Sequence, residues 1–258
     1  MNFSKMKSNG EKIAALTAYD ATFAGLLANA GVDLILVGNS LGMIVQGRSN
    51  TLAVCVADVA YHVRCVAAGA PNAFIIADMP FGSFQESPAQ AFANAARMLS
   101  AGASMVKLEG GEVMAETVRF LSERGIPVCA HVGLMPQMIK KLGGYKVQGK
   151  EEKSAVKVKS DAIALQQAGA DIIILELIPA TLGKEISADL DIPTIGIGSG
   201  ANCDGQVLVL HDMLGLTSGK PKRFVRNFMS GSESIACALS AYVSAVKSGQ
   251  FPATEHNF

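Results

Sequence analysis

Leu34 to Val37 is an unbroken run of large aliphatic residues. A strand of that kind buries both faces, as strands of parallel sheets do, whereas a half-exposed strand alternates apolar with polar. The run ends in Gly38, Asn39 and Ser40, with Gly42 after Leu41, so the chain can turn sharply where two small polar side chains begin. Asn is also an ordinary turn former, and one such segment alone carries no chemistry. The pattern recurs, however. Apolar runs predict strands over residues 12–19, 34–37, 72–77, 104–108, 126–130, 171–175, 192–196 and 207–211. Helices are predicted between them over 21–30, 56–68, 88–101, 113–124, 148–169 and 181–187, with a closing helix over 232–247. Ser87 before Pro88 reads as a helix cap, and Gly125 as a helix stop.

Eight strands alternating with helices predict a (β/α)8 TIM barrel, with a doubly wound open sheet as the alternative. The 258 residues suit one large α/β domain. Neither a linker nor a shift in composition divides the chain, so residues 1–258 are read as a single barrel domain. Half of the residues are hydrophobic and 17% are charged, enough for a large core. Formal net charge is zero, which gives no electrostatic case for a nucleic-acid or anionic-membrane partner. No run of 18 apolar residues predicts a membrane span, and the polar, basic stretch 1–12 does not read as a secretory signal. Five scattered cysteines, none in a Cys-x-x-Cys pair, read as reduced thiols of a cytoplasmic protein.

The informative residues are the polar ones where predicted strands end: Asn39, Ser40, Asp78, Lys107, Glu109, His131 and Glu176. In a barrel all of these face one mouth, whatever their spacing in sequence. Asn39, Asp78 and Glu109 offer the hard oxygen atoms that Mg2+ prefers, and no Cys/His cluster with zinc spacing competes. Each has a plainer use. Asp78 precedes Met79-Pro80 and could be a turn acid. Lys107 lies inside an apolar strand, where it either pairs with a carboxylate or binds an anionic substrate. His131 could be a satisfied barrel histidine. Glu176 follows a wholly apolar strand, so its carboxyl would be desolvated, its pKa raised, and suited to act as a base. The alternative for Glu176 is an ion pair with Lys107. Gly196-Ile-Gly-Ser-Gly200 lacks dinucleotide-binding spacing and reads as a tight turn bringing backbone amides near a ligand. Tyr19 could reach into the mouth or roof it, His211 is placed at the end of the last strand in a packing role, and His62 and His256 are read as structural.

Several segments carry a resemblance to a known family. They are Val37-Gly-Asn-Ser-Leu-Gly-Met43, Ala77-Asp-Met-Pro-Phe-Gly82, Val106-Lys-Leu-Glu-Gly-Gly111, Cys129-Ala-His-Val-Gly-Leu134, Gly143-Gly-Tyr-Lys-Val-Gln-Gly149, Pro193 to Gly200, Cys203 to Gly215 and Phe251 to Phe258. In order, and over nearly the whole chain, they resemble ketopantoate hydroxymethyltransferases. The resemblance implies a metal-dependent barrel of the phosphoenolpyruvate mutase and isocitrate lyase type. It implies transfer of a hydroxymethyl group from 5,10-methylenetetrahydrofolate to 3-methyl-2-oxobutanoate, giving 2-dehydropantoate for pantothenate synthesis.

By the same resemblance Asn39, Asp78 and Glu109 hold Mg2+. Asn39, Ser40, Asp78 and Lys107 contact the 2-oxo acid, His131 lies near it, and Glu176 is the proton acceptor. A homo-oligomer, a decamer, is implied too. The chemistry is coherent: a 2-oxo acid can chelate Mg2+, and the metal with Lys107 stabilises the enolate left when C3 loses its proton. The chain departs from the family where Asn39 replaces an Asp, and again, in a smaller way, where Ser199 stands for a usual Ala. An amide oxygen can ligate Mg2+ but adds no charge. Two other readings stay open: a related metal-dependent C–C bond enzyme acting on another 2-oxo acid, and a weakened or non-catalytic paralogue.

Overall fold

The computed structural model describes residues 2–258. Among them eight parallel strands close into a barrel in sequence order: β1 (Ile13–Thr17), β2 (Leu34–Val37), β3 (Ile75–Asp78), β4 (Met105–Glu109), β5 (Val128–Gly133), β6 (Ile172–Glu176), β7 (Thr194–Ile197) and β8 (Gly205–Leu208). The open-sheet alternative is thereby excluded, since β1 pairs with both β2 and β8. No helix among the described residues is long and apolar enough to cross a membrane.

Side chains on a strand alternate between its faces, so a barrel strand sends every second residue inward. One apolar cluster holds Ile13 and Ala15, Leu34 and Leu36, Ile76, Met105, Cys129, Ile172 and Ile174, Ile195 and Val207; this is the barrel interior. The intervening residues, among them Leu16, Ile35, Val106, Val128 and Ile173, join the larger cluster under the helices. Counting on in twos from the interior set reaches Asp78, Lys107, Glu109, His131 and Glu176. The alternation therefore aims all five into the same mouth. The opposite end is stoppered by the helix Phe3–Ser8, which the sequence pattern did not predict: Phe3 and Met6 join the interior cluster, and the Phe3 ring meets Phe74 edge-on at 4.9 Å.

Helix starts follow local capping. The side chains of Asp20, Ser87 and Ser234 accept bonds from the amides of Phe23, Gln90 and Cys237, supplying partners to otherwise orphaned donors. The closing helix Ile235–Lys247 begins three residues later than predicted, because Ser234 caps it. It lies against the seam of the barrel. The buried Tyr242 hydroxyl donates toward the carbonyls of Ala15 (2.9 Å) on β1 and Gln206 (3.1 Å) on β8.

Two strand ends differ from expectation in ways that bear on the site. β5 runs on to Gly133 because His131, Val132 and Gly133 pair with Ile174, Leu175 and Glu176 of β6. β8 stops at Leu208, and His211 lies on the short helix Leu210–Met213, where the Thr17 hydroxyl accepts from the Leu210 amide. His211 thus does not end a strand; its ring packs beside Tyr19 and Phe23. Gly133 has φ +92°, and a Cβ there would collide with the carbonyl of Glu176. Gly133→Ala should therefore destabilise the fold by about 1–3 kcal/mol from backbone strain alone, read as a lowered denaturant midpoint. An unchanged midpoint would mean that the end of β5 relaxes freely.

Candidate active site

At the carboxyl ends of the strands lies a cavity of about 480 Å³. Asn39, Ser40, Asp78, Lys107, Glu109, His131 and Glu176 all line it, so the barrel brings together every site residue expected from the sequence. Strand pairing explains the neighbours: Asp78 stands beside Lys107 and Glu109 beside His131 in the sheet register.

Lys107 is the hub. Its ammonium lies 2.7 Å from Asp78 Oδ1 and 3.5 Å from Glu109 Oε1, and all three side chains are at most 5% exposed. Burial pulls the lysine pKa down, but Asp78 and Glu109 outweigh it, so the group stays charged above its ordinary range. Glu109 is pushed up by burial and pulled back by Lys107 and His131; its Oε2 accepts from the Gln137 amide at 3.0 Å. His131 is 1% exposed, and burial, reinforced by Lys107, holds its pKa down at about 4. It is therefore neutral at physiological pH. Its Nε2 lies 3.3 Å from Glu176 Oε2.

Glu176 is placed differently from Glu109. It has no lysine partner within ion-pair distance, so the expected alternative of a Lys107–Glu176 pair is not what forms; the lysine pairs with Asp78 and Glu109. Burial raises its pKa to about 7, against the more distant pull of Lys107 and Lys222. Ser199, one of the two departures from the family pattern, is buried and donates to the Leu175 carbonyl at 2.7 Å, steadying the strand end that carries Glu176. The buried Cys129 thiol, pushed up to about 12 by burial, is no nucleophile.

Asn39 sits against the same cluster. Its amide N–H donates to Asp78 Oδ2 (3.0 Å) and its Nδ2 to the Met79 carbonyl (3.1 Å), while Oδ1 is buried without a protein partner. Buried polar atoms are seldom left so, and a cation is one way of satisfying an orphaned oxygen. Among the described residues no three His, Cys, Asp or Glu side chains converge as a metal group. The oxygen set here is two carboxylates and one amide, which fits a hard cation of the Mg2+ type and does not suit zinc.

Tyr19 is buried and does not itself line the cavity; it acts through Ser40, whose Oγ lies 2.8 Å from its hydroxyl, and burial pushes its pKa up to about 12. The glycine turn 196–200 contributes Ile197 to the lining. Sequence reasoning missed Thr17, Gln137, Tyr145, Lys222, Arg223 and Phe258. Tyr145, Lys222, Arg223 and Phe258 line the outer mouth from loops and the tail, where no strand periodicity marks them; Thr17 is the last inward residue of β1 and could have been found by counting in twos.

The class that fold and site define is a (β/α)8 barrel with a buried Asp78–Lys107–Glu109 cluster at its mouth and a carboxyl of raised pKa, Glu176, in the same cavity. Solved structures share the fold. Phosphonopyruvate hydrolase superposes with a TM-score of 0.63 at 14% identity, covering 83% of this chain and 84% of that one. A 2,3-dimethylmalate lyase of the PEP mutase/isocitrate lyase superfamily gives 0.58 at 16% identity, covering 80% and 78%. A sequence model of ketopantoate hydroxymethyltransferase matches residues 1–254. The 3-methyl-2-oxobutanoate hydroxymethyltransferase of Nitrosomonas europaea is 63% identical over 249 residues, covering 96% of this chain and 93% of its own. The protein of the same name from Nitrosospira multiformis is 56% identical over 256 residues, covering 99% and 97%. The chain belongs to the ketopantoate hydroxymethyltransferase family, and is a transferase.

The raised pKa of Glu176 sets a pH test. The folded protein holds this proton from the ordinary 4.5 up to about 7, more tightly than the unfolded chain does. The stability linked to the group is therefore fully present below about 4.5 and lost as pH rises through about 7. Glu176→Gln removes that dependence. The variant should gain on the parent between pH 5 and pH 8 by up to about 3 kcal/mol, less what solvent returns to a side chain that is 15% exposed. Denaturant unfolding at both pH values checks this; an equal gap at the two would show that the carboxyl titrates normally.

Proposed function

We propose that this chain transfers a hydroxymethyl group from 5,10-methylenetetrahydrofolate to 3-methyl-2-oxobutanoate, yielding 2-dehydropantoate, with Glu176 removing the C3 proton. The observation that carries the proposal is the position of Glu176. It lies at the mouth, against a neutral His131, over a buried Asp78–Lys107–Glu109 cluster. The names of the relatives supply the substrate, and the resemblance over the whole chain supplies the folate.

Asn39 Oδ1, Asp78 and Glu109 would hold Mg2+, supported by the unpartnered amide oxygen. When bound, a divalent cation supplies positive charge to the ketone and carboxylate oxygens of a 2-oxo acid. Lys107 adds a second positive charge beside the oxygen on which the enolate charge develops, in a site where little water competes. Ser40, held by Tyr19, orients the acid from the β2 side. Glu176, with a pKa near 7, is partly ionised at neutral pH and matched to proton abstraction. Neutral His131 can hydrogen-bond its carboxyl in either protonation state. Water cleaves the two C–N bonds of the methylene bridge, releasing tetrahydrofolate and a one-carbon unit at the formaldehyde oxidation level. The carbanion adds to that carbon, and the alkoxide so formed takes a proton to become the hydroxymethyl group. The resemblance extends the proposal to a homo-oligomer, for which exposed Tyr61, Phe81 and Val113 provide apolar surface.

Glu176→Gln should slow deuterium exchange at C3 of 3-methyl-2-oxobutanoate by ~10²–10⁴ while the acid still binds. Exchange at the parental rate would remove Glu176 from the role of base.

Asn39→Asp gives a prediction with two signs. A carboxylate adds a charge worth about 4 kcal/mol against each cation charge at ~4 Å and an effective dielectric near 20, and desolvation takes back part of it. A net ~1.4 kcal/mol would tighten Mg2+ about tenfold. The same change deletes the donor to the Met79 carbonyl and sets an anionic oxygen against it. The variant should thus melt lower than the parent without metal, yet reach half-maximal activity at less Mg2+. Coincident Mg2+ titrations of the two forms would show that residue 39 is not a ligand.

A further inference from the structure

We propose that Gln137 is the positioning residue of this site, holding the three oxygen-bearing residues in register through two different parts of itself. The proposal rests on the reading of Asn39, Asp78 and Glu109 as a metal-binding set. Gln137 lies on the turn Pro136–Met138 that follows β5, and is 4% exposed. Its backbone N–H donates to Glu109 Oε2 at 3.0 Å. Its side-chain Nε2 donates to the Met79 carbonyl at 2.8 Å, and its Oε1 accepts from Gln85 Nε2 at 3.1 Å. Gln85 in turn accepts from the Gly82 amide at 2.7 Å.

These bonds tie the loop after β3 to the loop after β5 across β4, the strand that carries Lys107 and Glu109. Each of the three residues is one step from Gln137. Glu109 is bonded to it directly. Asn39 shares the Met79 carbonyl with it, through Nδ2 at 3.1 Å. Asp78 precedes Met79 in the chain and accepts from the Asn39 amide at 3.0 Å. The terminal torsion of a glutamate is soft, so its carboxylate plane needs an external bond to be fixed. For Glu109 the Gln137 amide supplies that bond on one oxygen, while Lys107 holds the other at 3.5 Å. The amide stays in place because the side chain of the same residue is pinned at both ends. Outer partners of this kind orient ligands without touching the ion.

The test is calorimetric titration of Mn2+ into the metal-free protein, with thermal melting of each form alongside. Gln137→Met keeps the length and loses both side-chain bonds; it should bind Mn2+ about 10–100-fold more weakly than the parent. Gln85→Ala, at an exposed position, frees Gln137 Oε1 and the Gly82 amide but leaves both bonds that Gln137 donates, and should weaken Mn2+ in the same direction by less. Parental affinity in a folded Gln137→Met with a lowered melting point would make Gln137 merely structural and overturn the proposal. If Gln137→Met does not fold, parental affinity in Gln85→Ala overturns it. A parent protein that binds no Mn2+ overturns the metal reading and this proposal together, whereas a parent that binds while both variants match it overturns this proposal alone.

Discussion

The site depends on one buried ion cluster. Lys107 lies 2.7 Å from Asp78 and 3.5 Å from Glu109, at the level where the apolar filling of the barrel ends. A buried salt bridge is weak evidence for stability, because desolvating both charges offsets much of their attraction, and apolar residues of similar volume often serve the fold as well. A barrel that needed only a packed core would continue with aliphatic residues at positions 78, 107 and 109. The charges are in place because the parity of β3 and β4 aims them inward and their register sets Asp78 beside Lys107. Once there, they condition everything nearby: the ammonium reinforces burial in keeping His131 neutral and offsets part of the rise that burial gives the pKa of Glu109.

Two glutamates in one mouth are thereby given different chemistry. Glu109 is anchored on both oxygens, by Lys107 and the Gln137 amide, and cannot turn toward a substrate without breaking those bonds. Glu176 keeps 15% of its side chain exposed, faces a neutral imidazole, and has its pKa moved to about 7. On the proposed reading, groups of one type whose environments differ in this way divide the roles, Glu109 holding charge and Glu176 exchanging a proton.

How much of this was legible in the sequence follows from which interactions are periodic. All eight strands and the inward-facing site residues could be read, because burial on two faces and a period of two leave a mark on residue type. The partners that organise the site could not. The Met79 carbonyl collects donors from Asn39 and Gln137, and the Gln137 amide fixes Glu109; backbone groups carry no residue signal. Strand ends were read short at β5, where His131 and Gly133 look like loop residues by composition but are held in the sheet by β6. His211 was read into β8 because Val209 and Leu210 extend the apolar run, yet the Thr17 hydroxyl bonded to the Leu210 amide marks the turn into a helix. The mouth's outer wall of Tyr145, Arg223 and Phe258 comes from segments far apart in sequence, and only the folded chain assembles it.

Asn39 is where charge and geometry meet. Asp78 and Glu109 against Lys107 leave the cluster with one net negative charge, since Asn39 adds none. On the proposed reading a dication turns that into one net positive charge, which attracts the carboxylate of a 2-oxo acid. An aspartate at position 39 would bring the same sum to zero, gripping the cation harder while drawing the substrate anion less. The amide also does what a carboxylate cannot. Its Nδ2 satisfies the Met79 carbonyl, and by doing so leaves Oδ1 as the one atom of the side chain without a protein partner. The orientation of the amide is thus set by a backbone carbonyl outside the reaction, and the free oxygen is what remains for an ion.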